Sequence, residues 1–196
     1  MDTAIIVALG LALSAACGFR VFVPLLVLGA AGATGQVSLV DGFEWLATTP
    51  ALIALSVATL AEIAAYYVPW IDNVLDTLAG PAAVVAGVLV TASVVDEMDP
   101  MLRWGLAIVA GGGLAGMVQA STSFLRATST AFTGGLGNPL VSTAELVGAV
   151  GVSLAALAMP IVALGLVVVG LSFALVKVAI RLRQRNSDEE AGHAAA

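Results

Sequence analysis

A chain of 196 residues with 60% hydrophobic and only 10% charged residues, at a mean hydropathy of +1.07, is no ordinary soluble domain, because such domains carry about 25% charged residues. The formal net charge is −6, and four of the seven basic residues lie together at Lys177, Arg181, Arg183 and Arg185. No basic face of a size to hold nucleic acid is present, the lone Cys17 excludes an intramolecular disulfide, and the lone His193 excludes a His-built metal site or catalytic triad within one chain. No metal and no cofactor is expected.

The composition predicts an all-α, polytopic membrane protein. A membrane helix needs about 20 apolar residues, and six apolar segments are legible. The first, 4–34, is too long for one upright helix and is interrupted by Gly18-Phe19-Arg20 and by Pro24. Pro24 lacks an N–H and clashes with the carbonyl of Arg20, so a broken helix is expected there. The chain opens Met1-Asp2-Thr3 without the basic stretch of a signal peptide, which makes a retained first span the expectation. The second segment, 51–68, contains Glu62, and the third is 81–95. The fourth, 104–132, turns polar in its second half around Arg126. The fifth is 140–158, and the sixth, 160–182, follows directly after Met159-Pro160. Residues 186–196 are polar, acidic and small, and are expected to be a disordered tail.

The two long segments share a plan: Arg20 is followed nine residues later by Gly29, and Arg126 nine residues later by Gly135. Each is trailed by two further apolar segments. The chain therefore reads as two pseudo-repeated halves, 1–98 and 99–185, with broken or re-entrant helices near Arg20 and Arg126. Three spans per half would give the halves inverted topology, a recurrent transporter plan. The cluster from Lys177 to Arg185 argues for a cytoplasmic C-terminus in the bacterial inner membrane, with the connectors near 69–80 and 133–139 also inside. Trp45, Trp70, Trp104, Tyr66 and Tyr67 fall near span ends and suit an interfacial belt.

Arg20, Glu62, Arg126 and Glu145 stand out, because an ionisable group in hydrocarbon costs about 2.5–3.5 kcal/mol on insertion scales and so faces a partner or a wet cavity. Arg126 carries a guanidinium that cannot be neutralised, and the turn 134–139 allows Glu145 to fold back beside it. Glu62 is the expected counter-charge of Arg20. Helical spacing puts Gln119, Thr122, Ser123, Arg126, Ser129 and Thr130 near one face. That stripe either lines an aqueous path or packs against another helix. Asn138 suits an N-cap and Pro139 the first helical position, with Ser142 and Glu145 on the following turn. Asp72 and Asp76, four apart, share a helix face. They read as a cytoplasmic mouth or, more weakly, as a cation site of a lipid-phosphate enzyme.

Cys17-Gly18-Phe19-Arg20 with Pro24-Leu25, then Glu62, Pro69, Asp72, Asp76 and Pro81, then Arg126 and Asn138-Pro139 with Ser142 and Glu145, resemble a bacterial integral-membrane family known as domain of unknown function 4126. The resemblance covers most of 10–146. It implies a membrane location and this residue set, and names no activity.

Three functions are carried forward. The first is transport or channelling of a small anion or an anionic lipid headgroup, with Arg20 and Arg126 on the anion. The second is a membrane scaffold or assembly factor in which the Arg–Glu pairs are structural. An enzyme is the third. The bilayer is the expected partner, and a homo-oligomer is left open.

Overall fold

The computed structural model describes residues 2–67, 71–96 and 98–194, and at 71–74, 76, 175, 178, 179 and 181–194 the backbone alone. Among these residues every regular element is a helix.

Helix α1, Thr3–Cys17, starts where the Asp2 carboxylate accepts the Ala4 N–H at 3.4 Å. It is apolar all round, and almost every residue from Ala8 to Cys17 is buried. Such a helix belongs in the middle of a bundle. It packs against α4, α6, α7 and α8, the helices defined below. At 1.5 Å per residue it is about 22 Å long.

The chain breaks at Gly18 and resumes as α2, Phe22–Ala33. Pro24 occupies the third position of α2, where no intrahelical N–H bond is lost. Gly18 is required by close approach: a β-carbon there would sit 2.5 Å from the Ala115 carbonyl oxygen. A loop, tied down by Val40 N–H donating to the Ser93 carbonyl at 2.8 Å, leads through a short 3-10 turn at Glu44–Ala47. Helix α3, Thr49–Ala65, then lies against α2.

Helix α4, Ile71–Val94, holds Pro81 in its interior, and Pro81 faces outward. Helix α5, Pro100–Leu106, is capped by Asp99 accepting the Met101 N–H at 2.9 Å. A π-helical segment, Ala107–Gly112, joins it without interruption to α6, Gly113–Thr133. Gly134 and Gly135, at φ +62° and +91°, turn the chain into α7, Asn138–Ala158. Met159 leaves helical geometry and Pro160 starts α8, which extends to Ala194 and so takes in most of the polar stretch expected as a tail.

The all-helical class and the break at Arg20 are as expected. Among the described residues three stretches are long and apolar enough to cross a membrane: Thr77–Val94, Pro100–Thr133 and Asn138–Ala158. Among the described residues the apolar helices Thr3–Cys17, Phe22–Ala33 and Thr49–Ala65 are shorter, and Pro160–Ala174 is the described apolar part of the longer α8; six spans were expected. The expected break near Arg126 is absent: α6 passes through it unbroken, and the chain turns only at Gly134. Residues 71–80, expected in a connector, form the start of α4. Proline inside an apolar helix is tolerated where neighbours re-satisfy the backbone, so Gly80-Pro81 did not mark a boundary.

Candidate functional site

Four buried ionisable side chains converge where α1 gives way to α2. Arg20 is 1% exposed, Arg126 and Glu145 4%, and Glu62 8%. Burying so much charge is costly unless the groups are paired and hydrogen-bonded.

Arg126 on α6 meets Glu145 on α7 through both arms of its fork. Nε donates to Oε1 at 3.0 Å, and Nη2 donates to Oε2. This bidentate geometry is the strong form of a guanidinium–carboxylate pair. Arg20 reaches the same carboxylate, with Nη2 at 3.7 Å from Oε2. That nitrogen also donates to the Ser142 carbonyl at 2.9 Å and to its hydroxyl at 2.6 Å. Two cations thus share one oxygen of Glu145.

Glu62 acts on Arg20 through its charge but makes no direct ion pair with it among the described ones. Its Oε1 accepts the Val21 N–H at 2.8 Å, and Oε2 accepts the Phe22 N–H at 3.2 Å. The broken helix exposes these two donors at the start of α2, where negative charge is favoured. The described ion pairs of Arg20 and Arg126 both go to Glu145.

Tyr66, at the end of α3, was assigned to the interfacial belt and is instead buried at the centre of this cluster. The guanidinium carbon of Arg20 lies 4.0 Å from its ring centroid and that of Arg126 lies 3.9 Å away. A ring face attracts cations, most strongly when water is excluded. Aromatic identity gave no hint of this placement. Neighbouring Tyr67 does lie near the surface, its hydroxyl 2.8 Å from that of Thr143 on α7.

The polar stripe of α6 is only partly drawn in. Gln119 and Thr122 are buried on the same helix, N-terminal to Arg126. Gln119 Nε2 donates to the Ser123 hydroxyl at 3.3 Å, and the Thr122 hydroxyl donates to the Gln119 carbonyl at 3.0 Å. These bonds stay within α6. Asn138 is not the N-cap of α7; Gly137 holds that position. Asn138 instead donates through Nδ2 to the Thr130 hydroxyl at 3.0 Å, joining α6 and α7 near their turn. Ser123, Arg126, Ala127, Thr130 and Ala131 of α6, with Thr77 of α4 and Asn138 of α7, line an open cleft of ≈560 Å³. The side chains of Asp72 and Asp76 lie outside the described residues, and so does Trp70. Among the described residues no group of His, Cys, Asp and Glu has the geometry of a metal site.

The family model described as a domain of unknown function, DUF4126, matches residues 7–180. The chain belongs to this family. Every residue of the central cluster falls within the DUF4126 match. No curated protein and no solved structure matches the chain.

Proposed function

We propose that this DUF4126 protein is an integral membrane transporter or channel for a small anion or an anionic lipid headgroup. The reading rests on one observation: Arg126, a permanent cation among apolar helices, forms part of the wall of the ≈560 Å³ cleft. The other polar wall groups are the hydroxyls of Thr77, Ser123 and Thr130 and the amide of Asn138. Hydroxyl and amide donors around a guanidinium suit an anion, and the described wall residues include no acid.

In this reading the protein sits in the bacterial inner membrane with a cytoplasmic C-terminus, because Lys177, Arg181, Arg183 and Arg185 gather at the end of the last apolar segment. Residues 1–98 and 99–185 act as inverted halves with six spans in all. The broken α1–α2 pair supports that plan, since discontinuous helices belong where they line a cavity or are buried in protein. Asp72 and Asp76 stand at the cytoplasmic mouth. Anion uptake into proteoliposomes tests the reading. Arg126→Lys is expected to reduce flux strongly because a point charge cannot replace a planar fork. Wild-type flux in that variant sinks it.

The alternative is a scaffold or assembly factor. It is favoured by the completeness of the Arg126–Glu145 pair, which looks as much like a lock between α6 and α7 as like a binding site. Native mass spectrometry separates the two readings. An anion or anionic lipid bound to wild type and lost in Arg126→Ala supports transport. No differential ligand, with a destabilised variant, supports the scaffold.

A further inference from the structure

The fork of Arg126 is already occupied by a carboxylate. An anion entering the cleft can bind the same N–H groups only by replacing Glu145 there. The species that replaces a carboxylate like for like on a planar, bidentate fork is itself planar and presents two oxygens side by side. The exchange also has a charge constraint. Arg20, Arg126, Glu62 and Glu145 sum to zero, and all four are buried. A monovalent anion arriving alone would leave an uncompensated buried charge, which is strongly unfavourable. A proton arriving with it, bound by the released Glu145, restores the sum.

We propose that the transported species is a carboxylate or another planar monovalent oxyanion, and that it takes the place of Glu145 on Arg126 as Glu145 takes up one proton. Anion and proton then move together. This rests on the anion reading of the cleft. The proton comes from water in the cleft, stays on a Glu145 carboxyl oxygen while the anion is bound, and returns to water when the anion leaves. Arg20 supports the exchange. Its Nε and Nη1 are buried and have no hydrogen-bond acceptor among the described residues. They are unused donors on the same guanidinium whose Nη2 stands 3.7 Å from Glu145 Oε2.

The titratable and charged groups around Glu145 come from several elements. Arg20 stands at the α1–α2 break, Arg126 on α6, Glu62 on α3 and Tyr66 just after it. Helix α2 carries no ionisable side chain. The side chains of Asp72 and Asp76 on α4 are outside the described residues, so the proton is assigned by substitution.

The test is titration calorimetry of the purified full chain with sodium nitrate in two buffers of unlike ionisation enthalpy, which counts protons directly. Nitrate is planar and stays ionised throughout. Wild type is expected to take up one proton per nitrate, and Glu145→Gln to bind nitrate with no proton uptake. Should that variant not fold, Glu145→Asp keeps the carboxyl group and is expected to keep the proton while nitrate affinity changes. Nitrate binding without proton uptake in wild type overturns the coupling and leaves the anion reading standing. So does undiminished proton uptake in folded Glu145→Gln. Preference for sulfate or phosphate overturns the planar class. If nitrate fails and short-chain phosphatidylserine binds with one proton, the carboxylate is a headgroup rather than a free anion. Failure of all four probes on folded wild type overturns both the coupling and the anion reading.

Discussion

Glu62 accepts the backbone N–H of Val21 at 2.8 Å, so the one carboxylate on α3 holds the start of α2. The broken helix needs this. Breaking a helix frees backbone donors, and in an apolar surrounding each unsatisfied donor costs several kcal/mol. A carboxylate with two oxygens satisfies two of them at once, at the end of the helix dipole that favours negative charge.

Substitution at Glu62 should therefore loosen α2 before it disturbs anything else. Glu62→Gln keeps one acceptor, whereas Glu62→Ala leaves both donors unmet and is expected to destabilise the fold by about 1–3 kcal/mol more. Hydrogen exchange in detergent is the readout. The amides of Val21 and Phe22 should lose protection in Glu62→Ala while those of α7 keep theirs. Uniform loss across the bundle would contradict a local capping role.

The Arg126–Glu145 pair should behave as a buried ion pair. Arg126→Met or Glu145→Leu alone leaves one uncompensated charge and is expected to cost about 3–5 kcal/mol. The double substitution should cost clearly less than the sum. Chemical unfolding in detergent across the four-member cycle measures the coupling. Additive effects would mean that the pair contributes nothing as a pair. Arg20 complicates the cycle in a predictable direction: without Glu145 it loses its carboxylate too, so Glu145→Leu should be the more damaging single change.

Tyr66 is expected to matter through its ring. Tyr66→Leu removes the face on which both guanidinium groups rest, each contact being worth roughly 0.5–2 kcal/mol. Tyr66→Phe keeps that face. Thermal unfolding should rank the variants wild type, Tyr66→Phe, Tyr66→Leu, in falling order. Equal melting of the Phe and Leu variants would assign the role of Tyr66 to its hydroxyl.

Gly87 and Gly80 lie on the same helix and should respond differently. A β-carbon at Gly87 would meet the Ser14 hydroxyl at 2.6 Å and the Ala115 β-carbon at 2.7 Å, where α1, α4 and α6 approach closely. A β-carbon at Gly80 meets nothing within 4 Å. Gly87→Ala is expected to destabilise the bundle, because well-packed contacts punish overfilling by typically 1–3 kcal/mol. Gly80→Ala should be close to neutral, because up to about 1 kcal/mol of helix propensity is offset by the ring of Pro81, which disfavours a helical residue with a β-carbon before it. Unfolding midpoints of the two variants, compared directly, check the close approach.

The residues of the central cluster were legible because an ionisable group inside an apolar run is a strong local signal. Arg20, Glu62, Arg126, Ser142 and Glu145 all belong to it. Their pairing was not legible. Neighbourhood along the chain suggested Arg20 with Glu62, whereas Arg20 reaches across to Ser142 and Glu145 on α7, more than a hundred residues away. The break before α2 created a competing demand on Glu62, and backbone donors are invisible in a list of side chains. Tyr66 was hidden for a related reason: an aromatic residue near the end of an apolar segment fits an interface as well as a core. Gln119, Thr122 and Ser123 drew attention as a stripe, yet the described bonds of Gln119 and Thr122 are made within α6. Element lengths were the least legible, because Pro81 resembles a boundary and lies inside continuous helix.

The π-helical segment Ala107–Gly112 has a consequence for the azimuth of everything that follows it. An α-helix advances by 100° per residue, and a π-turn absorbs an extra residue, so the two sides of such a segment are no longer in phase. The Gly111 carbonyl accepts the Ser14 hydroxyl, which pins this phase slip to the central helix. The compass bearing of Arg126 is thus fixed several turns upstream. Excising one residue between Ala107 and Gly112 would return the helix to a single pitch with Arg126 still facing Glu145, whereas winding the intact segment as regular α-helix would swing the guanidinium about a quarter-turn away.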